Sequence, residues 1–419
     1  MSLFDVSALL LTLSALFGWI NRRFLHLPRS IGLLLMGLAA SLLLIGAGNL
    51  FPDLPFYRDL TKTLQQINFT DVVMNGMLAF LLFAGALNVD VPALRDRAVP
   101  IVGLAFVGTV ISTLIVGFGF WGIAQALGND LPLPWALVFG ALISPTDPVA
   151  VLSTLKRVHL PKTLQVEMEG EALFNDGIGI VLFTFLVSIA VGGEQHGIGK
   201  AGLDLLREAG GGLALGTLTG YIAYRAMRVI DDFSVEVLIT LALVMTTYAL
   251  AARLGTSGPL AVVAAGLIIG ERAPRDAMSE RTQHYVTALW TMIDEVLNSV
   301  LFLLIGLEVV LLPFAAGSLW LAPCAIPILL IARLAAVSPP LLLPGWRKKL
   351  SIRNVPFLTW AGVRGGISIA LALALPDSGP RSTILAATYA VVLFSIVVQG
   401  STLAMVARIT LQKAHTPSD

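Results

Sequence analysis

Long apolar runs alternate with short polar stretches along the whole chain, and the runs share a length. Crossing about 30 Å of hydrocarbon takes roughly 17 to 25 helical residues. Thirteen segments qualify: 3–20, 30–48, 70–88, 98–127, 133–156, 164–192, 202–228, 234–253, 257–271, 284–312, 316–343, 354–376 and 381–407. The ninth is short, and the tenth can begin as an interfacial helix, so the count is good to one. The pattern predicts an all-α polytopic membrane protein of about thirteen transmembrane helices. It forms one membrane domain over 1–410, with a short cytoplasmic tail at 411–419. The loops leave no room for a soluble catalytic module or an ATP-driven motor.

Polar residues inside those runs are few, and each ionised one costs about 3 kcal/mol at membrane depth. Span five reads "ALISPTDPVAVLSTL", with Asp147 between Pro145 and Pro148. Proline removes a backbone donor and clashes with the preceding turn, so this helix should open around Thr146 and Asp147. Span six carries "GEALFNDGIGIVLF". Glu171 and Asn175 share a face there, while Asp176 is turned about 140° from Glu171 at 100° per residue. Two carboxylates of one helix can therefore have different jobs. Gly177 and Gly179 permit close approach by another backbone.

Span twelve reads "LTWAGVRGGISIALALALP", with Arg364 among Gly362, Gly365 and Gly366. It is a second candidate for an interrupted helix. Broken segments at spans five and twelve, in corresponding halves of the chain, are the mark of inverted repeats around a midplane site. Span eleven adds Arg333. Asp147, Glu171 and Asp176 against Arg333 and Arg364 leave one surplus negative charge for a cation or proton to complete. Asp294, Glu295 and Glu308 complicate that balance. In span seven Gly212, Gly216 and Gly220 recur every four residues, which reads as tight helix packing.

Composition narrows the function. Apolar residues make up 56% of the chain and charged residues 13%, against about a quarter in soluble domains. Nineteen of the 27 Lys and Arg fall on one side of the alternating loops, six on the other, and Arg333 and Arg364 lie inside helices. That bias places the N-terminus outside and the C-terminus in the cytoplasm. Asp5 precedes the first apolar run and the arginines follow it, so the run reads as a retained helix rather than a signal peptide. One cysteine, Cys324, excludes an internal disulfide, and the five histidines lack metal-ligand spacing. His159 reads as a solvated loop residue. A net charge of +1 gives no reason to expect nucleic acid. Without GxxxxGK[ST], any transport draws on a gradient.

The pairing of "SPTDPVAVLSTLKRVHLPKTLQVEMEGEALFNDGIGIVLF" with "WAGVRGGISIALAL" closely resembles the NhaP-type sodium/proton antiporters of the monovalent cation:proton antiporter-1 family, relatives of animal sodium/proton exchangers. The resemblance implies that Asp176 binds either the cation or a proton, with Asp147 and the Thr146 carbonyl as neighbours around sodium. Asn175 is implied to belong to the same ion- and proton-binding set, at the position where electrogenic relatives carry a second aspartate, which implies electroneutral exchange. Glu171 is implied to pair with Arg333, and Arg364 to balance the broken-helix region. A homodimer is implied too. Its dimerisation domain covers about 3–88 and 202–312, and its moving core about 98–192 and 316–407. The implied setting is a bacterial plasma membrane and the implied role pH homeostasis, with no cofactor beyond the transported ions. The sequence departs from the family at Ala172, where a serine is common, and at Ala84, where many members carry an acid.

The expectation is thus exchange of Na+ or Li+ for H+ by alternating access, with both ions competing for Asp176. A K+/H+ antiporter of the same fold is the alternative, and a gated cation channel a more distant one. An enzyme is not expected, since no nucleophile and base pair occurs in the spans.

Overall fold

The computed structural model describes residues 3–50, 71–147, 151, 160–192, 198–309, 320–338, 354–376 and 380–411. Pro148, His159 and the tail beyond Leu411 lie outside the described residues. The helices are α1 (Leu3–Ile20), α2 (Arg29–Leu50), α3 (Leu78–Leu87), α4 (Val91–Asp96), α5 (Ala98–Ala126), α6 (Leu133–Ile143), α7 (Lys162–Gly192) and α8 (Ile198–Met227). They continue as α9 (Phe233–Leu254), α10 (Gly258–Asp276), α11 (Glu280–Glu308), α12 (Leu321–Val337), α13 (Val355–Trp360), α14 (Gly366–Leu373) and α15 (Arg381–Leu411). No strand occurs among the described residues. Among the described residues each of the thirteen apolar segments contains helix, and the fifth and twelfth are interrupted. In span five α6 ends at Ile143, the chain leaves helical geometry through 144–147, and Val151 is helical again. In span twelve 361–365 separates α13 from α14.

Local chemistry sets the helix ends. Asp232 accepts hydrogen bonds from the Ser234 and Val235 N–H groups, capping α9, and Gly255 closes that helix at φ 62°. Ser257 caps α10 ahead of Pro259, and Ser279 caps α11. These caps satisfy donors that a helix start leaves open. Two helices depart from the apolar pattern. α11 starts at Glu280, inside polar sequence, and α10 runs on through "ERAPRD" to Asp276. Apolarity marks where a helix leaves the hydrocarbon, and the backbone hydrogen bonds carry it further.

Two groups of helices emerge. α5, α6, α7, α12 and α15 pack on one another, with α13 against α12 and α14 against α15. α8, α9 and α10 pack together, with α3 on α10 and α2 on α11. The span-seven glycines account for the tightest contact of the second group. A Cβ on Gly212 would lie 2.5 Å from the Ser257 carbonyl oxygen, and one on Gly216 1.9 Å from that of Ala261. One on Gly220 would lie 2.9 Å from the Ala265 Cα. The constant offset means that α8 and α10 run parallel, backbone against backbone.

Candidate functional site

The two interruptions cross each other. The Asp147 N–H donates to the Val363 carbonyl at 2.8 Å. A Cβ on Gly365 would sit 2.1 Å from Asp147 Oδ2, so glycine is what lets the carboxylate lie against that backbone. Opening α6 frees carbonyls that a continuous helix would use. Arg364, fully buried, meets this need: its Nη1 donates to the Ser144 carbonyl and, at 2.9 Å, to that of Pro145. Its Nε and Nη2 have no hydrogen-bond partner among the described residues. Behind the break the Ser144 hydroxyl donates to the Gly140 carbonyl at 2.7 Å, lies 2.9 Å from Ser112 Oγ and accepts from Thr113 Oγ1 at 3.3 Å. This hydroxyl cluster supports the opened turn.

On α7 the three polar residues part ways. Glu171 accepts two hydrogen bonds from Arg333, the Nη2–Oε2 one at 2.9 Å, while Arg333 Nε donates to the Leu358 carbonyl at 3.2 Å. A Cβ on Gly362 would come within 2.8 Å of that Nε, so the glycine makes room for the guanidinium. The pair ties α7 and α12 to the second interruption. Asn175 turns to the first. Its Nδ2 donates to Thr146 Oγ1 at 2.9 Å, and its Oδ1 accepts from the Thr146 N–H at 3.4 Å. Both ends of the amide are occupied.

Asp176 is different. It is 8% exposed, and no described residue gives it a hydrogen bond or an ion pair. It feels the like charge of Asp147 and the opposite charge of Arg364. It opens onto a cavity of about 230 Å3, whose wall also includes Asp147, Thr146 and Ser368. That is room for several waters. Toward one end the wall carries Asn88, Glu169, Asp294 and Asn298. Beyond Asp176 in the other direction α7 is packed shut. Gly177 abuts Leu260 of α10 so closely that a Cβ would lie 2.5 Å from Leu260 Cδ2, and Gly179 abuts Pro145 in the same way.

The residues singled out in the sequence thus converge, with one distinction. Thr146, Asp147 and Asp176 line the cavity, whereas Asn175 clamps Thr146 from outside it. Glu171, Arg333 and Ala172 border a separate void of about 10 Å3 behind Thr146 and Asp147, about the size for one water. Ala84 lines the main cavity. Asp294 and Glu295, adjacent in sequence, diverge: Glu295 pairs with Arg29 at 2.9 Å at the surface, and Asp294 faces the cavity. Sequence reasoning missed Asn298, Glu169 and the Ser112–Thr113–Ser144 cluster. Asn298 had a signal, as the one amide in "VLNSVLFLLIGL".

Crossed broken helices around a buried, unpaired carboxylate are how a secondary ion transporter builds a midplane site. The chain belongs to the transmembrane sodium/hydrogen exchanger family, which matches residues 11–409, and within it to the NhaP-type antiporters. It is 42% identical over 405 residues to the Na(+)/H(+) antiporter NhaP of Pseudomonas aeruginosa, covering 94% of each chain. It is 35% identical to the Na(+)/H(+) antiporter NhaH of Halobacillus dabanensis, covering 90% of each. Its fold matches the sodium proton antiporter MjNhaP1 from Methanocaldococcus jannaschii with a TM-score of 0.76 at 21% identity, over 97% of this chain and 98% of that one.

Proposed function

We propose that the protein exchanges Na+ or Li+ for H+ one for one, with both ions competing for Asp176. The observation that carries this reading is the state of that side chain. It is buried and has no arginine locked onto it, in contrast to Glu171 five residues earlier. A carboxylate so placed needs a positive partner, and the cavity admits a hydrated one. Hard alkali cations prefer oxygen, which Asp176, Asp147, the Thr146 carbonyl and water supply. The cation or the proton neutralises Asp176, and a neutral core crosses an apolar barrier at far lower cost than a charged one. Asn175, already committed to Thr146, adds no second charge, which supports electroneutral stoichiometry.

The helix grouping supports a division of labour. In this reading the core at about 98–192 and 316–407 moves against a scaffold at about 3–88 and 202–312, which also joins two copies in a homodimer. The loop charges put the Asn88–Glu169–Asp294 end of the cavity toward the cytoplasm of a bacterial plasma membrane, with the N-terminus outside and the C-terminus inside. In this reading the cavity opens to the inside.

Potassium is the second cation worth testing, because Ala84 contributes no oxygen to the cavity wall. Everted vesicles given lithium, sodium and potassium in turn test the proposal. Proton release driven by lithium and sodium is expected. Release by potassium alone would replace the cation, and sodium current without proton movement would make the protein a channel.

A further inference from the structure

We propose that Asn298, oriented by Asp294, is a specificity-determining residue that gives the incoming monovalent cation its first protein oxygen before Asp176 does. The inference rests on the exchange reading above and adds to it a station on a different helix. Asn298 is 8% exposed and lies one turn beyond Asp294 on α11, and both residues line the cavity that contains Asp176.

Its amide has a fixed orientation. Asn298 Nδ2 donates at 2.9 Å to the Asp294 main-chain carbonyl and at 2.9 Å to Asp294 Oδ1. Both amide protons are therefore used, and Oδ1 points away from them, with no donor to it among the described residues. That oxygen is not sealed in the packing: Asn298 lines the cavity, where water or an ion can complete it. A carbonyl oxygen in a wet cavity beside acids suits a hard cation and repels an anion. Asp294 has two effects here: it aims the amide, and its charge draws cations toward the cavity.

The position of α11 makes the contact transient. α11 packs on α2 and α3, whereas Asp176 rides on α7 against α6. A cation held by Asn298 and Asp176 together would tie those two groups of helices to each other. It must leave Asn298 for the core to move, so Asn298 acts on capture and choice of cation rather than on the crossing. Further along, Leu301 lies against Gly366 at the start of α14, where a Cβ would come within 2.5 Å of it. The oxygen station therefore ends just short of the second interruption.

The test uses the full-length protein in liposomes, with cation-dependent proton movement read as KM and maximal rate for sodium and lithium. Asn298→Leu keeps the branched shape and removes the oxygen along with the amide nitrogen. It is expected to raise the sodium KM roughly tenfold, the scale of one lost polar contact to an ion, with the maximal rate within about twofold. Asn298→Ser retains an oxygen and should fall between the two, and Asp294→Ala, which frees the amide to rotate, should raise KM by a smaller factor. The lithium-to-sodium KM ratio should change in Asn298→Leu, which a purely structural role would not bring about. An unchanged KM and ratio in Asn298→Leu, or a fall in maximal rate at constant KM, would overturn the proposal. The wild-type protein in the same liposomes separates the two claims: no cation-coupled proton movement there would sink the exchange reading itself.

Discussion

Glu171 and Asp176 sit five residues apart on one buried helix, yet Glu171 is gripped by Arg333, with Nη2 at 2.9 Å, and Asp176 has no such grip. The helical turn separates the two carboxylates by about 140° and delivers them to different environments. One closes a structural ion pair, and the other faces the cavity.

That pair should matter for folding more than for ions. Glu171→Ala leaves the buried Arg333 guanidinium uncompensated, a loss on the order of 3–5 kcal/mol. Lower expression and a fall in melting temperature in detergent are the expected result. Replacing both partners, as Glu171→Leu with Arg333→Met, should recover much of that stability, because no charge is then stranded.

Asp147 is the reverse case. Its backbone N–H holds the crossing through Val363, and Asp147→Asn leaves that bond and the side-chain shape in place. The melting temperature should stay close to wild type. Maximal exchange should drop by more than about tenfold, since a full charge beside the cavity is gone.

In the proposed exchange cycle α7 moves against α10, where Leu260 now meets Gly177. Gly177→Ile puts a branched side chain into that contact, at a cost of about 1–3 kcal/mol where packing is tight. Turnover should fall with little change in sodium KM, and Leu260→Ala introduced alongside should restore part of it. A Gly216→Leu control, against the Ala261 backbone, should instead destabilise the fold and show no such rescue.

Most of the fold was legible because a membrane span has a length and apolarity that few other segments share. Both interruptions were visible through Pro145 and through the glycines around Arg364. The pairing of Glu171 with Arg333 was reached by resemblance, and the geometry gives its reason, since Gly362 opens the space for the guanidinium. The walls of the cavity were harder to read. Asp294 and Glu295 are indistinguishable in a hydropathy pattern, and only the rotation of α11 decides which one meets Arg29 and which faces the cavity. Asn175 shows the same limit. A sequence places it beside Asp176 but cannot show that Thr146 uses up its amide.

Electroneutral exchange has an electrical signature. Each net charge carried per cycle couples to a 100 mV potential by about 2.3 kcal/mol. Exchange rates in potassium- and valinomycin-clamped liposomes should be the same at 0 and 100 mV. A strong dependence on voltage would mean unequal numbers of ions.

The most direct measurement is sodium-driven proton movement by Asp176→Asn in liposomes, beside wild type at equal reconstituted amounts. The asparagine keeps the shape and removes the titratable, cation-binding charge. Exchange should vanish at every pH and sodium concentration while the protein stays folded and inserted. Sodium-dependent proton movement at anything near the wild-type rate would contradict the assignment of both ions to this one carboxylate.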